Sequence, residues 1–257
     1  MDNILIIGHP GHELRAFRWM EQARPVVHVL TDGSGSLSEG RIESTAKTVN
    51  SAGAQIGSYF GCLKDGVFYQ DLLDVDPSHF VEALFEIYQS IVEAGPRELM
   101  IVGDAIEGYN TAHDMTRYMI NILCARLRAE GYVVRNYAFN LVDNPSESAR
   151  NAKEGDIVLK LSAEDFVRKL DAARNYPELK EEVEIAIAQV GEVAFKNEVF
   201  TLIDASAPVI PTPSGALYYE EFGRKRVAEG KYEELILFES HMRPFSQALE
   251  SAFNARF

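Results

Sequence analysis

The chain has little cysteine, a shortage of basic residues and no long apolar run. Of its 257 residues only Cys62 and Cys124 are cysteines. So few cysteines exclude a small disulfide-stapled secreted scaffold, because such scaffolds need several bridges. Both cysteines stand in apolar stretches, so we expect two buried free thiols in a reducing compartment.

Basic residues are outnumbered, with 25 Lys and Arg against 39 Asp and Glu and a formal net charge of −14. Such a surface repels phosphate backbones and anionic lipids, so we expect neither a nucleic-acid nor a membrane partner. No apolar run approaches the roughly 20 residues of a membrane span. The apolar start lacks a basic leader and predicts a strand rather than a signal peptide, which indicates a cytoplasmic protein.

A dinucleotide fingerprint is also missing. The glycines of residues 33–40 (GSGSLSEG) follow the second predicted strand, whereas the fingerprint opens the first helix with a tight Gly-x-Gly-x-x-Gly turn. A nucleotide or methyl-donor enzyme is therefore disfavoured. The same stretch is better interpreted as a mobile loop over a site.

What is present is a regular alternation of apolar strands and amphipathic helices. Strands are predicted at 3–8, 26–30, 56–61, 97–103 and 133–139, with helices at 13–23, 41–52, 80–93 and 112–129 and a turn at 64–66. This pattern predicts an α/β fold with a Rossmann-like, doubly wound and mostly parallel sheet. We expect residues 1–140 to form that core, with residues 141–257 as a mainly helical C-terminal extension packed on it.

Three of the six histidines follow strands that such a sheet places side by side. His9 and His12 follow the first strand and His113 follows the fourth, and in the usual strand order these strands meet at the ligand-binding crevice. Three neutral imidazoles with an open position are a catalytic zinc arrangement. The alternative is that His9 caps a helix and that His113 is merely solvated at a helix start. His28 lies within a strand and is expected to be a core histidine.

Several segments resemble the PIG-L/LmbE-like family of zinc-dependent N-acetylglucosamine deacetylases. Residues 6–13 (IIGHPGHE) are similar to the family's His-Pro-Asp-Asp-Glu segment, and residues 109–114 (YNTAHD) resemble its His-Pro-Asp-His segment. Further similarities fall in the same order at 31–33, 63–66 and 216–245. The resemblance covers the first ~140 residues and part of the tail.

The resemblance implies that His9, His12 and His113 bind zinc or another divalent metal, with His12 in place of a ligand aspartate. It also marks two departures. Gly11 stands where the family has its general base, and Asn110 stands where it has a histidine that stabilises the oxyanion. Asparagine can still donate a hydrogen bond to an oxyanion, whereas glycine cannot take a proton.

Replacement bases are sought among Glu13, Asp104, Glu107 and His241. Glu13 adjoins the ligands but would equally suit the first helix turn, Asp104 ends the fourth strand or caps its loop, and Glu107 is expected to be solvated. His241 would contact the substrate only if the tail folds back over the site.

Three further polar side chains are candidates for substrate binding. Asp32 and Arg41 could bind a polyol or an anionic substituent, or simply serve loop hydrogen bonding and a solvated helix start. Asp65 could accept a sugar hydroxyl or belong to a plain Asp-Gly turn.

Two hypotheses follow from these residues. The first is a metal-dependent hydrolase that releases an amine from an N-acyl amino sugar or a related glycoconjugate, with Glu13, Asp104 and Asn110 in catalytic roles. The second is a degenerate relative that binds a metal or a glycan without hydrolysis. A homo-oligomer is compatible with either.

Overall fold

The computed structural model describes residues 1–35, 40–95, 97–213 and 215–257. Seven strands form its sheet: β1 Asp2–Ile7, β2 Val26–Thr31, β3 Gln55–Leu63, β4 Glu98–Asp104, β5 Val133–Phe139, β6 Ile157–Lys160 and β7 Asn197–Leu202. Their order is β3-β2-β1-β4-β5-β7-β6. The first five strands are parallel, while β7 is antiparallel to both of its neighbours.

Ten α-helices surround the sheet within the described ranges. They are α1 Phe17–Ala23, α2 Ile42–Ser51, α3 Asp65–Asp74, α4 Ser78–Ala94, α5 Thr111–Ala129, α6 Pro145–Arg150, α7 Ala163–Arg174, α8 Lys180–Val190, α9 Tyr218–Ala228 and α10 Arg243–Asn254. Short 3-10 turns at His12–Ala16, Pro177–Leu179 and Glu192–Lys196 and a π-turn at Phe238–Met242 complete the pattern. The fold is thus α/β and Rossmann-like, with a helical C-terminal region.

The centre of the sheet is β1, because its residues are apolar on both faces. Leu5 and Ile7 pack with Met20 and Phe200 on one face, while Ile4 and Ile6 join the larger cluster beneath α4, α5 and α10 on the other. Neighbouring β2 and β4 lie on either side of β1. The strand order therefore reverses between β1 and β4, as the sequence predicted, and a crevice opens beyond their carboxyl ends.

The predicted turn at 64–66 is wrong. Asp65 instead begins the ten-residue helix α3, whose Phe68 and Leu72 are completely buried. An Asp-Gly pair is typical of turns, but Asp65 is also suited to a helix N-terminus, where its carboxylate interacts favourably with the unpaired backbone N–H groups. The consequence is that Asp65 is held rigidly at the crevice.

The region after residue 140 is helical but also lengthens the sheet by two strands. Residues 177–196 form a 3-10 turn, α8 and a second 3-10 turn. Buried Lys169 on α7 attaches this region to the core, since its Nζ donates a hydrogen bond to the backbone carbonyl of Arg15 at 3.2 Å and also lies 2.8 Å from Glu198 Oε1 on β7. Glu198 in turn accepts hydrogen bonds from the backbone N–H groups of Arg18 and Trp19.

Three smaller expectations can be compared with the structure. Cys124 is buried but Cys62 is exposed, so the expectation of two buried thiols was wrong for Cys62, which lies on edge strand β3. Within the described ranges, none of the helices has the length and apolar character needed to cross a membrane. The loop expected at 33–40 includes residues 36–39, which lie outside the described part of the chain.

Candidate active site

The three predicted ligand histidines lie together at the crevice between β1 and β4. His9 follows β1, His12 begins the 3-10 turn and His113 lies in the first turn of α5. The ring centroids of His12 and His113 are 4.7 Å apart, those of His9 and His12 5.4 Å and those of His9 and His113 6.3 Å. The rings of each pair are steeply inclined to each other, with interplanar angles in the same order of 87°, 88° and 72°.

The donor chemistry of this cluster fits a zinc ion, while its spacing is slightly too wide. Two imidazoles on a tetrahedral zinc have ring centroids roughly 5 Å apart, so two of the three separations fit and the His9–His113 separation is about 1 Å too long. Accordingly, no group of three or more His, Cys, Asp or Glu side chains in the described ranges forms a ready-made metal site.

His12 is oriented by Asp104, the last residue of β4. Its Nδ1 lies 2.9 Å from Asp104 Oδ2, and the same oxygen accepts the Gly8 N–H at 2.8 Å. Burial opposes ionisation of Asp104, but His12 and the Gly8 N–H together hold the pKa of this carboxyl below its ordinary value. Burial lowers the pKa of His12 to about 4.

His9 is oriented by two residues from the neighbouring elements β2 and α3. Its Nδ1 lies 2.7 Å from Thr31 Oγ1 and 3.2 Å from Asp65 Oδ1. The other Asp65 oxygen accepts the Gly35 N–H at 2.6 Å. Burial of Asp65 is outweighed by His9, Thr31 and Gly35, so the pKa of this carboxyl falls to about 2.

His113 faces Glu107, although at a longer distance. His113 Nδ1 lies 3.6 Å from Glu107 Oε2. Glu107 accepts the backbone N–H groups of Leu141 and Val142, and its side chain is only 6% exposed, so the expectation that it is solvated was wrong. The reason is that the loop after β5 crosses the crevice and places its N–H groups against this carboxylate.

All three histidines have Nδ1 near a carboxylate, but only His12 makes a hydrogen bond to one. His9 Nδ1 is hydrogen-bonded to Thr31 Oγ1 instead. Three atoms of this group are buried without a hydrogen-bond partner among the described residues: His113 Nδ1, Asp65 Oδ1 and Asp104 Oδ1. In metal sites a carboxylate at Nδ1 fixes the ring and leaves Nε2 to bind the ion. In the described part of the chain, no hydrogen bond involves Nε2 of these three rings.

Gly11, between the two ligand histidines, has no room for a side chain. Its φ is +105°, and a Cβ built on it would lie 2.1 Å from Leu179 Cδ1. Leu179 ends the 3-10 turn that precedes α8. An aliphatic side chain from the C-terminal region thus covers the position at which the resembling family carries its base.

Glu13 is fully buried and supports the backbone of residue 11. Its Oε2 accepts the Gly11 N–H at 2.7 Å, and that N–H also contacts Thr45 Oγ1 at 3.1 Å. Burial raises the pKa of Glu13 to about 7, which the Gly11 and Thr45 hydrogen bonds only partly offset. Tyr176 OH closes this network at 2.8 Å from Thr45 Oγ1. The structure therefore places Glu13 behind Gly11, in contact with α2.

Asn110 caps α5 beside the cluster. Its Oδ1 accepts the Ala112 N–H at 2.8 Å, which leaves its side-chain NH₂ as a donor. Asp32 Oδ1 accepts hydrogen bonds from the backbone N–H groups of Ser34 and Asp65. These contacts agree with the alternative in which Asp32 serves loop hydrogen bonding. Arg41 precedes α2, and its buried Nε has no partner among the described residues.

His241 lies in the π-turn between α9 and α10. Its Nδ1 accepts the Leu237 N–H at 2.9 Å. Within the described residues, no ring contact or hydrogen bond connects it with His9, His12 or His113. Its proposed contact with substrate stays a prediction.

Three residues of the site were not among the candidates drawn from the sequence: Thr31, Tyr109 and Leu179. They belong to β2, to the loop between β4 and α5 and to the 3-10 turn before α8, and only the folded chain brings them to the crevice. The Tyr109 ring lies 6.4 Å from the His113 ring and stacks at 4.7 Å on Tyr218. A partial signal existed for Thr31 alone, because it directly follows the apolar residues of β2 at the carboxyl edge of the sheet.

Comparison of the chain with protein-family models, with curated proteins and with solved structures finds no match. The geometry of the crevice is therefore the ground on which a function can be proposed.

Proposed function

We propose that the chain is a metal-dependent amide hydrolase that releases an amine from an N-acyl amino sugar or a related glycoconjugate. One observation carries the proposal: three imidazoles meet at the crevice, and each has its Nδ1 between 2.9 and 3.6 Å from a carboxylate oxygen. Histidines that are only structural do not need three such buried partners. Zinc or another divalent ion is the ligand that this donor set favours.

In this proposal, His9, His12 and His113 hold the ion. A divalent ion there would polarise an acyl carbonyl and lower the pKa of water, the more strongly because His12 brings no negative charge. The proposal assigns to the side-chain NH₂ of Asn110 the hydrogen bond to an oxyanion. Arg41 would bind a sugar hydroxyl or an anionic substituent of the substrate.

The three carboxylates considered as replacement bases are committed to other contacts. Asp104 orients His12, Glu107 accepts two backbone N–H groups and Glu13 holds Gly11 from behind. Asp104 is thus better interpreted as a positioning residue than as the replacement base. Loss of a positioned base typically removes a factor of roughly 10²–10⁴ in rate, so we propose a slow hydrolase.

Amine release from N-acetylglucosamine and from N-acyl glucosamine conjugates tests this function in the presence of zinc or cobalt. We expect turnover that falls at least about 100-fold in His12→Ala and about 10-fold or more in Asn110→Ala. His79→Ala, at an exposed histidine paired with Asp71, is the matched control and should retain activity. Absence of turnover in protein that has bound a metal would contradict hydrolysis.

A second candidate function is a metal- or glycan-binding module without hydrolysis. The observation that favours it is the contact of Leu179 with the position of the missing base. Stoichiometric metal binding combined with no amine release from any N-acyl sugar would support this alternative over the hydrolase.

A further inference from the structure

A large apolar cavity lies beside the histidine cluster, between the core and α8. Its volume is about 590 Å³, within the range typical of small-molecule sites. Most of its walls are aliphatic or aromatic, and they include Leu14, Leu170, Leu179, Val183, Ile187 and Phe195.

The cavity borders the candidate site. Gly11 and Tyr109 line it, and both belong to the surroundings of the cluster: Gly11 lies between His9 and His12, and the Tyr109 ring neighbours that of His113. A ligand whose polar end lies among the imidazoles would enter the cavity beside these two residues.

Of the four charged residues of the wall, Glu182 is exposed to solvent, and the other three are paired with protein partners. Arg15 is paired with Asp143, and Lys169 Nζ lies 2.8 Å from Glu198 Oε1. Because these charges are already neutralised by protein partners, an uncharged apolar ligand loses nothing by entering. An ionic ligand would have to break one of these pairs.

The helix α8 is incompletely packed over this cavity. All of its residues are described, and none is buried, although Val183, Ile185 and Ile187 are apolar and line the cavity. Ile185 is 50% exposed. A ligand chain in the cavity would bury these side chains, with a gain in free energy that grows with the apolar area removed from water.

We propose that this cavity binds the aliphatic chain of a ligand whose polar head lies at the histidine cluster. The inference rests on the proposed function for the chemistry of the head, and it adds the substrate class: N-acyl compounds with an acyl chain well beyond acetyl. Gly11 and Leu179 line the cavity on the side of the cluster, and Leu179 occupies the space that a side chain at residue 11 would need. Leu179, which covers residue 11, is then part of the wall that binds the acyl chain.

Calorimetric titration of the full chain with N-octanoyl-D-glucosamine and with N-acetyl-D-glucosamine tests the cavity. Each buried methylene contributes about fourfold to affinity, so we expect the octanoyl compound to bind at least about 30-fold more tightly. Ala186→Trp places a large side chain in the cavity and should reduce the preference to about threefold or less. Ala173→Phe, on α7, should act in the same direction from the opposite wall.

Ala188→Trp is the matched control, because Ala188 lies on the same helix, is exposed and is not part of the wall. It should retain the full preference. Equal affinity for the two compounds in the wild type would overturn the inference. An equal loss of the chain-length preference in Ala186→Trp and Ala188→Trp would also overturn it. A dimer that buries α8, in a protein that shows no chain-length preference, would overturn it as well.

The same titrations with chelator-treated protein and with His113→Ala separate this inference from the proposed function. A chain-length preference that persists without amine release by the wild type would refute hydrolysis and support the cavity. Amine release without any chain-length preference would support hydrolysis and refute the cavity.

Discussion

Leu179 fills the space that a side chain on Gly11 would need. The contact joins the crevice to the C-terminal region, since a Cβ on residue 11 would lie 2.1 Å from Leu179 Cδ1. Together with the left-handed φ of +105°, this contact makes glycine the residue that fits there. A base cannot be restored at residue 11 by one substitution.

A double-mutant cycle measures this relationship. Gly11→Ala should lower the free energy of unfolding by about 2–4 kcal/mol, because it combines an unfavourable φ with a steric overlap. In a Leu179→Ala background the same substitution should cost only about 1 kcal/mol, since the φ contribution alone remains. Urea unfolding of the four proteins gives the values. Strict additivity would show that residues 11 and 179 do not contact each other in solution.

The carboxylate behind His12 should control metal affinity. Asp104→Asn keeps the shape of the side chain but removes its charge, and we expect a 10–100-fold weaker affinity for zinc in competition with a chelating dye. Asp71→Asn is the matched control, because Asp71 Oδ2 makes a similar 2.8 Å contact with His79 Nδ1 away from the cluster. Equal zinc affinities in wild type and Asp104→Asn would show that Asp104 supports no ligand.

Stability should depend on pH through His28, a fully buried histidine of β2. Burial lowers its pKa to about 4 from the ordinary histidine value of 6.5. Between these values the unfolded chain binds a proton that the folded chain does not, so stability decreases as the pH falls from 6.5 to 4. The loss amounts to about 3 kcal/mol for this residue alone.

His28→Gln removes this titration, and its amide can still make a hydrogen bond. The variant should therefore show a shallower decrease in the free energy of unfolding between pH 6.5 and 4 than the wild type, as measured by urea unfolding at several pH values. Parallel pH curves for the two proteins would contradict the assignment.

The convergence of the histidines could be predicted because it follows from the order of the strands. Apolar runs identify β1 and β4, and doubly wound topology makes them neighbours, so whatever follows each strand meets at one edge. His9, His12 and His113 all meet this condition. The same logic identified Asp104 as a residue of the correct edge, although its contact with His12 Nδ1 makes it a support for a ligand.

The remaining features depend on contacts between distant parts of the chain. Glu107 looked solvated because nothing near it in sequence reveals the N–H groups of Leu141 and Val142. Leu179 belongs to a charged helical stretch, and no local pattern indicates that it covers Gly11. The Asp-Gly pair at 65–66 favoured a turn, whereas burial of Phe68 and Leu72 against the core stabilises a helix there.

Metal content of the purified chain tests the central claim most directly. Elemental analysis after dialysis against zinc should find about one divalent ion per wild-type chain. His113→Ala should retain less than about a tenth of that content, while His79→Ala should match the wild type. Absence of a stoichiometric ion in the wild type, or an unchanged content in His113→Ala, would contradict the metal site and the function proposed from it.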